Sequence, residues 1–177
     1  TNMHMIPRDE LESLQRTAMT LRFAEHYQSI EMLRSLADRL GVAELQEFEK
    51  AGLDVVWVPE AYSFDAPTAM GYIAANTERV TIASGILPVF TRTPSLLAMT
   101  AAGLDYLSDG RAMLGLGASG PQVIEGFHGM PYEKPMPRIR DYINVCRMTW
   151  RREKVVYDGK AVQIPLPEGQ GRAGCFS

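Results

Sequence analysis

The chain has 177 residues, 46% of them hydrophobic and 22% charged, which is one soluble domain's worth with material for a core. Its formal net charge of −3 excludes the basic field that nucleic acid or an anionic membrane surface would call for. No apolar run approaches the ~18 residues of a membrane-spanning helix, and Thr1 to Pro7 lack the layout of a secretory signal.

Residues 1–41 read as an atypical segment, with helix formers at Asp9 to Arg16 and Ile30 to Leu40 and a weakly alternating strand at Leu21 to Tyr27. Regularity begins at residue 42. Val42, Leu45 and Phe48 recur at helical spacing, and Gly52 closes the helix. Val55 to Val58 is the continuous apolar run of a buried parallel strand. Asp65 is a helix cap, with Pro67 in the first turn and Met70, Tyr72 and Ile73 following. Val80 to Ala83, extending towards Ile86, forms a second strand. Ser95 opens a helix carrying Leu96, Leu97, Met99, Leu104 and Leu107, Asp109-Gly110 turns the chain, and Ala112 to Leu116 is the next strand. Ile139, Ile143, Cys146 and Trp150 mark a helix with one apolar face. Val155 to Tyr157 and Val162 to Ile164 flank Asp158-Gly159 as a β-hairpin with a tight turn. Residues 168–177 read as a truncated tail. The two cysteines, Cys146 and Cys175, share no metal or redox motif. Cys146 is expected as a buried thiol, and this usage favours the cytoplasm.

Strands about 25–30 residues apart, each followed by a helix, have the period of a parallel sheet, either an open doubly wound sheet or a (β/α)8 barrel. Both place ligands at the C-terminal ends of the strands, so the loops there carry the chemistry. The first such loop holds Glu60, which could be a base or cofactor acceptor but reads more often as a solvated carboxylate. In the second, Gly85 admits close approach of a flat ligand, while Thr91 and Arg92 offer donors or a surface ion pair. The third, Gly115 to Gly120, fits G-x-G-x-x-G and suits a phosphate or a flavin. A dinucleotide fingerprint would sit in the first βα turn, so a nicotinamide-binding Rossmann domain is the weaker alternative. His128 follows as a lone histidine, and Lys134, Arg138 and Arg140 are candidates to hold an anionic tail. No metal-ligand spacing and no nucleophile elbow occur.

These loops resemble the luciferase-like monooxygenase family, and within it the branch that uses coenzyme F420. The matching text is A-G-L-D-V-V-W-V-P-E-A-Y (51–62), T-E-R-V-T-I-A-S-G-I (77–86), T-R-T-P (91–94), L-D-Y-L-S-D-G-R-A-M-L-G-L-G-A-S-G-P-Q-V-I-E-G (104–126) and K-P-M-P-R-I-R-D-Y-I (134–143). The resemblance covers residues 42–167 and implies an α/β fold, the first half of a (β/α)8 TIM-type barrel with a β-hairpin insertion near its end. It implies an oxidoreductase or monooxygenase that uses reduced coenzyme F420, or alternatively FMN, on a small organic substrate. It also implies that Gly85, Ile86, Gly117, Ala118, Ser119 and Gly120 contact the cofactor, with a cis peptide at Gly85-Ile86 beneath its ring. Glu60, Tyr62 and His128 are the catalytic candidates. The family often forms dimers, which makes a homo-oligomer an expectation.

Two departures matter. Some F420-dependent dehydrogenases carry a histidine where Ala61 stands and a glutamate where Gly120 stands, so their acid–base pair is not supported here. A half-barrel also leaves a sheet edge open. The chain alone is therefore expected to be poorly stable or cofactor-free, and a non-catalytic relative that pairs with another chain is the alternative.

Overall fold

Strand alternates with helix from residue 42 onward, as the spacing requires. The structure, a computed structural model, describes residues 41–62 and 64–167. The elements expected before residue 41, the side chain of Val42, the tail 168–177 and Cys175 lie outside the described residues.

Helix α1 spans Val42–Lys50, and Gly52 follows it at φ 101°, a backbone angle that L side chains rarely adopt. Strand β1 (Val55–Val58) leads into α2 (Ala66–Asn76), whose first turn is capped by the Asp65 carboxylate accepting from the Thr68 amide. Strands β2 (Thr81–Ser84) and β3 (Leu87–Pro88) precede α3 (Pro94–Ser108), capped by the Thr93 hydroxyl. Asp109 ends α3 in the left-handed region at φ 59°, and the expected turn follows. Then come β4 (Ala112–Met113), β5 (Leu116–Gly117), the four-residue α4 (Pro121–Ile124) and α5 (Pro135–Trp150). The chain closes with β6 (Tyr157–Asp158) and β7 (Gln163–Ile164).

Strands β1, β2 and β4 pair in parallel, in that order, and β3 pairs in parallel with β5. Period-2 alternation assigns the faces. Val56, Val58, Ile82 and Ala112 pack outward against Leu45, Met70, Ile73 and Leu104 of the helices. Trp57, Ala83 and Met113, in mutual register, point to the opposite, inner face. The expectation that β1 is wholly buried is therefore corrected. Its outer face is covered, but among the described residues nothing covers Trp57, which is 58% exposed.

The single strand expected from Ala112 to Leu116 is also split. β2 stops at Ser84 and restarts as β3, and opposite that break β4 stops at Met113 and restarts as β5. From Ala83 opposite Met113 to Leu87 opposite Leu116 the β2/β3 side takes four steps against three, a one-residue bulge on that side. The Gly115 amide donates to Ser84 Oγ (2.9 Å), and that hydroxyl donates to the Gly115 carbonyl (3.0 Å), replacing the interrupted ladder. A Cβ on Gly115 would stand 2.1 Å from the Ser84 carbonyl oxygen, so only glycine fits.

Two further expectations shift. On α5 the buried stripe is Asp141, Tyr142, Val145 and Cys146; Ile143 is half-buried and Trp150 exposed. Asp141 turns inward because it binds the hairpin, accepting from the Ala161 and Val162 amides and the Tyr157 hydroxyl. The hairpin itself is present, with Tyr157 opposite Ile164, but its turn is the four residues 159–162 and not Asp158-Gly159 alone. Along α3, Leu97 and Leu104 are buried, whereas Leu96, Met99 and Leu107 are exposed.

Candidate functional site

The loops at the C-terminal ends of β1, β2/β3 and β4/β5 converge because parallel pairing brings those ends side by side. At the first, Glu60 is not a free base. Its two carboxylate oxygens form a bidentate pair with Arg92 (Nη1 to Oε1 2.5 Å, Nη2 to Oε2 2.8 Å), and Oε2 also accepts from the Ala66 amide at 2.8 Å. Both side chains are about nine-tenths buried, at 9% and 11% exposure. Arg92 also pairs with Asp65. Hydrogen bonding from Glu60 holds the guanidinium above its ordinary pKa against the opposing effect of burial. The reading of Glu60 as a solvated carboxylate is overturned, as is that of Arg92 as a surface cation. The pair ties the β1 loop to the loop after β3.

The second loop holds the cis peptide between Gly85 and Ile86. The side chain of Ile86 leans on Gly117, where a Cβ would lie 2.9 Å from Ile86 Cγ1. On the other side, a Cβ at Gly85 would meet Trp57 Cε3 at 3.3 Å. Two of the expected cofactor contacts, Ile86 and Gly117, are thus packed on each other, with glycine required at Gly117.

In the third loop Ala118 packs against the outer core, and Ser119 takes the left-handed conformation at φ 56°. Its carbonyl accepts from the Tyr132 hydroxyl at 3.0 Å, and Tyr132 stacks on Phe90 with centroids 5.1 Å apart. The Arg138 guanidinium covers the Phe90 ring at 4.7 Å. Among the described residues, nothing accepts from the amides of Ala118, Ser119 or Gly120. Gly120 caps α4, a helix of four residues. The G-x-G-x-x-G run therefore opens no long helix, unlike a dinucleotide fingerprint.

Tyr62 and His128 come together through a third ring. Tyr62 meets Phe127 edge-on at 5.5 Å, and His128 meets it at 4.9 Å. All three rings are exposed. The expected cationic trio is dispersed: Lys134 donates to the Lys160 carbonyl, Arg138 covers Phe90, and Arg140 is exposed. Among the described residues no cluster of three potential metal ligands occurs. The thiol of Cys146 is buried, and burial pushes its pKa up to about 11, which makes it unreactive.

Residue patterning missed Trp57, Ser84 and Tyr132. Trp57 was hidden inside an apolar run. Ser84 and Tyr132 act on partners 31 and 13 residues away, which local periodicity does not register.

A large cavity of about 890 Å³ lies elsewhere, between α3, the end of α5 and the free edge of β4. Its walls include Met99, Leu104, Leu114 and Trp150, and its charged groups are only Asp105 and Arg152. It lacks the glycine loops and is not the candidate site.

At Gly85 and Gly117 the space that a Cβ would take is filled by Trp57 and Ile86, so the mouth is walled by these apolar side chains packed on bare backbone. Comparison with known proteins identifies the family. The model of the luciferase-like monooxygenase family matches residues 20–172. A Mycobacterium tuberculosis protein named as a putative coenzyme F420-dependent oxidoreductase is 42% identical over 127 residues, 71% of this chain and 36% of the relative. The coenzyme F420-dependent tetrahydromethanopterin reductase of Methanopyrus kandleri superposes with a TM-score of 0.63 at 24% identity, over 71% of this chain and 40% of that one. An F420-dependent secondary alcohol dehydrogenase bound to an F420-acetone adduct superposes with a TM-score of 0.57 at 28% identity, over 70% and 41%. The chain thus spans about two fifths of the length of these relatives.

Proposed function

This chain belongs to the luciferase-like monooxygenase family, and from that premise we propose that it forms the ring-binding part of an oxidoreductase that uses coenzyme F420 on a small organic substrate. The carrying observation is the packing of the Ile86 side chain on Gly117 at the C-terminal ends of adjacent parallel strands. The 42% identity to an F420-dependent oxidoreductase supports F420 over FMN. A bound deazaflavin supplies hydride transfer from its own ring, and the protein's part is to bind and orient it.

Each residue then has a task. Gly85 and Gly117 leave room for the side chains of Trp57 and Ile86, and Ile86 is the ring's apolar support. Ala118, Ser119 and Gly120 offer amides to polar atoms of the cofactor. Glu60 acts as a positioning residue that fixes the mouth through Arg92. Tyr62 and His128, exposed beside Phe127, are the groups placed to meet a substrate and exchange a proton with it. Ala61 and Gly120 carry no ionisable group, so the substrate is not handled by the acid–base pair of the sugar-phosphate and alcohol dehydrogenases.

The test is a titration of the chain with coenzyme F420 and, separately, FMN, followed by cofactor fluorescence. Saturable F420 binding that is tighter than FMN binding supports the reading. Preferential FMN binding replaces the cofactor while keeping the site, and binding of neither rejects it.

A further inference from the structure

Trp57, Ala83 and Met113 form one cross-strand row on the inner face of the sheet. Ala83 is fully buried, whereas Trp57 is 58% and Met113 44% exposed. Both large side chains thus leave much of their surface bare. The row lies directly beneath the mouth, because the Trp57 ring edge is 3.3 Å from where a Gly85 Cβ would stand. It contains no ionisable group. A bare indole on the face of a sheet, next to glycine backbone at the ends of parallel strands, is what a planar apolar ligand requires.

We infer that Trp57 is a ligand-contacting residue of this site, its indole forming the floor that takes the apolar part of a planar heteroaromatic ring held at Gly85, Ile86 and Gly117. This rests on the cofactor reading above. It assigns binding energy to a residue outside the glycine loops. It also predicts that changes at Trp57 act on ring affinity, while Glu60 and Arg92 act on the order of the mouth.

The chain has two tryptophans, Trp57 and Trp150. Trp150 lies on α5, with its indole N–H donating to the Ala98 carbonyl. The Trp150→Phe variant therefore isolates the emission of Trp57. Equilibrium dialysis with coenzyme F420 measures binding independently, and iodide quenching measures the accessibility of Trp57 with and without the cofactor. The expected result is free quenching without F420 and shielding at saturation. Trp57→Ala should raise the Kd about tenfold and Trp57→Phe less than about threefold, as loss of aromatic stacking implies. A cooperative melt of each variant shows that it folds. F420 retained in dialysis with Trp57 still freely quenched overturns the inference and leaves the cofactor reading standing. A folded Trp57→Ala variant that binds within twofold of the parent does the same. Failure of the parent chain to retain F420 removes both.

Discussion

Glu49 and Glu60 show how a carboxylate's partners decide its role. Glu49 accepts from the amides of Glu78, Arg79 and Val80, its shortest contacts being 2.6 and 2.7 Å. Burial raises its pKa, but these backbone donors and the nearby Arg111 outweigh that and leave it below its ordinary 4.5. A depressed folded pKa stabilises the fold above the unfolded value, and the contribution is lost as pH falls through the folded one. Glu49→Gln should therefore melt below the parent at pH 7, with the gap closing as pH falls below the ordinary carboxylate range. A gap independent of pH in thermal melts would show that the charge plays no part. Glu60→Ala leaves Arg92 with the half-exposed Asp65 as its remaining carboxylate partner and should cost about 1–3 kcal/mol. Denaturant unfolding checks this, and an unchanged midpoint with lost activity would make Glu60 a reacting group instead.

Elements are joined by backbone satisfaction as much as by apolar packing. The Arg111 guanidinium donates to the carbonyls of Ala74, Thr77, Val80 and Ser108 and to the Thr77 hydroxyl, so it closes the C-terminus of α2 and fastens it to β2 and α3. Arg111→Met leaves several carbonyls unpaired and should cost about 3 kcal/mol or more. Glycines give a sharper contrast. Gly115→Ala drives a Cβ into the Ser84 carbonyl and should cost about 2 kcal/mol or more. Gly103→Ala, in the middle of α3 with nothing within 4 Å, should stabilise by about 0.5–1 kcal/mol. Chemical denaturation of the two variants side by side distinguishes a packing requirement from mere helix propensity.

The same elements show what a sequence can reveal. Asp65 caps a helix with Pro67 in its first turn, chemistry local enough to read, whereas α3 opens at the Thr93 cap and not at Ser95. The glycine loop at 117–120 was legible as a ligand site candidate for the same reason. The break shared by β2 and β4 was not, because it is set by Ser84 reaching Gly115 across two strands. Neither was the bond between Glu60 and Arg92, 32 residues apart. The phase of α5 escaped because Asp141, a polar residue, turns inward to hold the hairpin.

At the scale of the molecule, the described sheet ends at β4, and the cavity beside it exposes Met99, Met113 and Trp150. An open edge next to apolar surface calls for cover. Among the described residues no helix is long and apolar enough to cross a membrane. More than half of each relative's length lies outside the matched part, enough to supply further strand–helix units. Joining this chain to the C-terminal part of such a relative should raise its melting temperature and tighten cofactor binding, and a fusion that melts as the chain does would refute this view of the edge.

The central claim is that the loops at Gly85-Ile86 and Gly117–Gly120 hold a flavin-type ring. Its most direct test is a fluorescence titration of coenzyme F420 against the parent chain, Gly117→Leu and Gly103→Ala, carried to about 1 mM, the weak end of specific affinity. The account predicts saturable binding by the parent and by Gly103→Ala, and its loss in a Gly117→Leu variant that still melts cooperatively. Binding unchanged in Gly117→Leu, or no saturable binding by a folded parent chain, would contradict it.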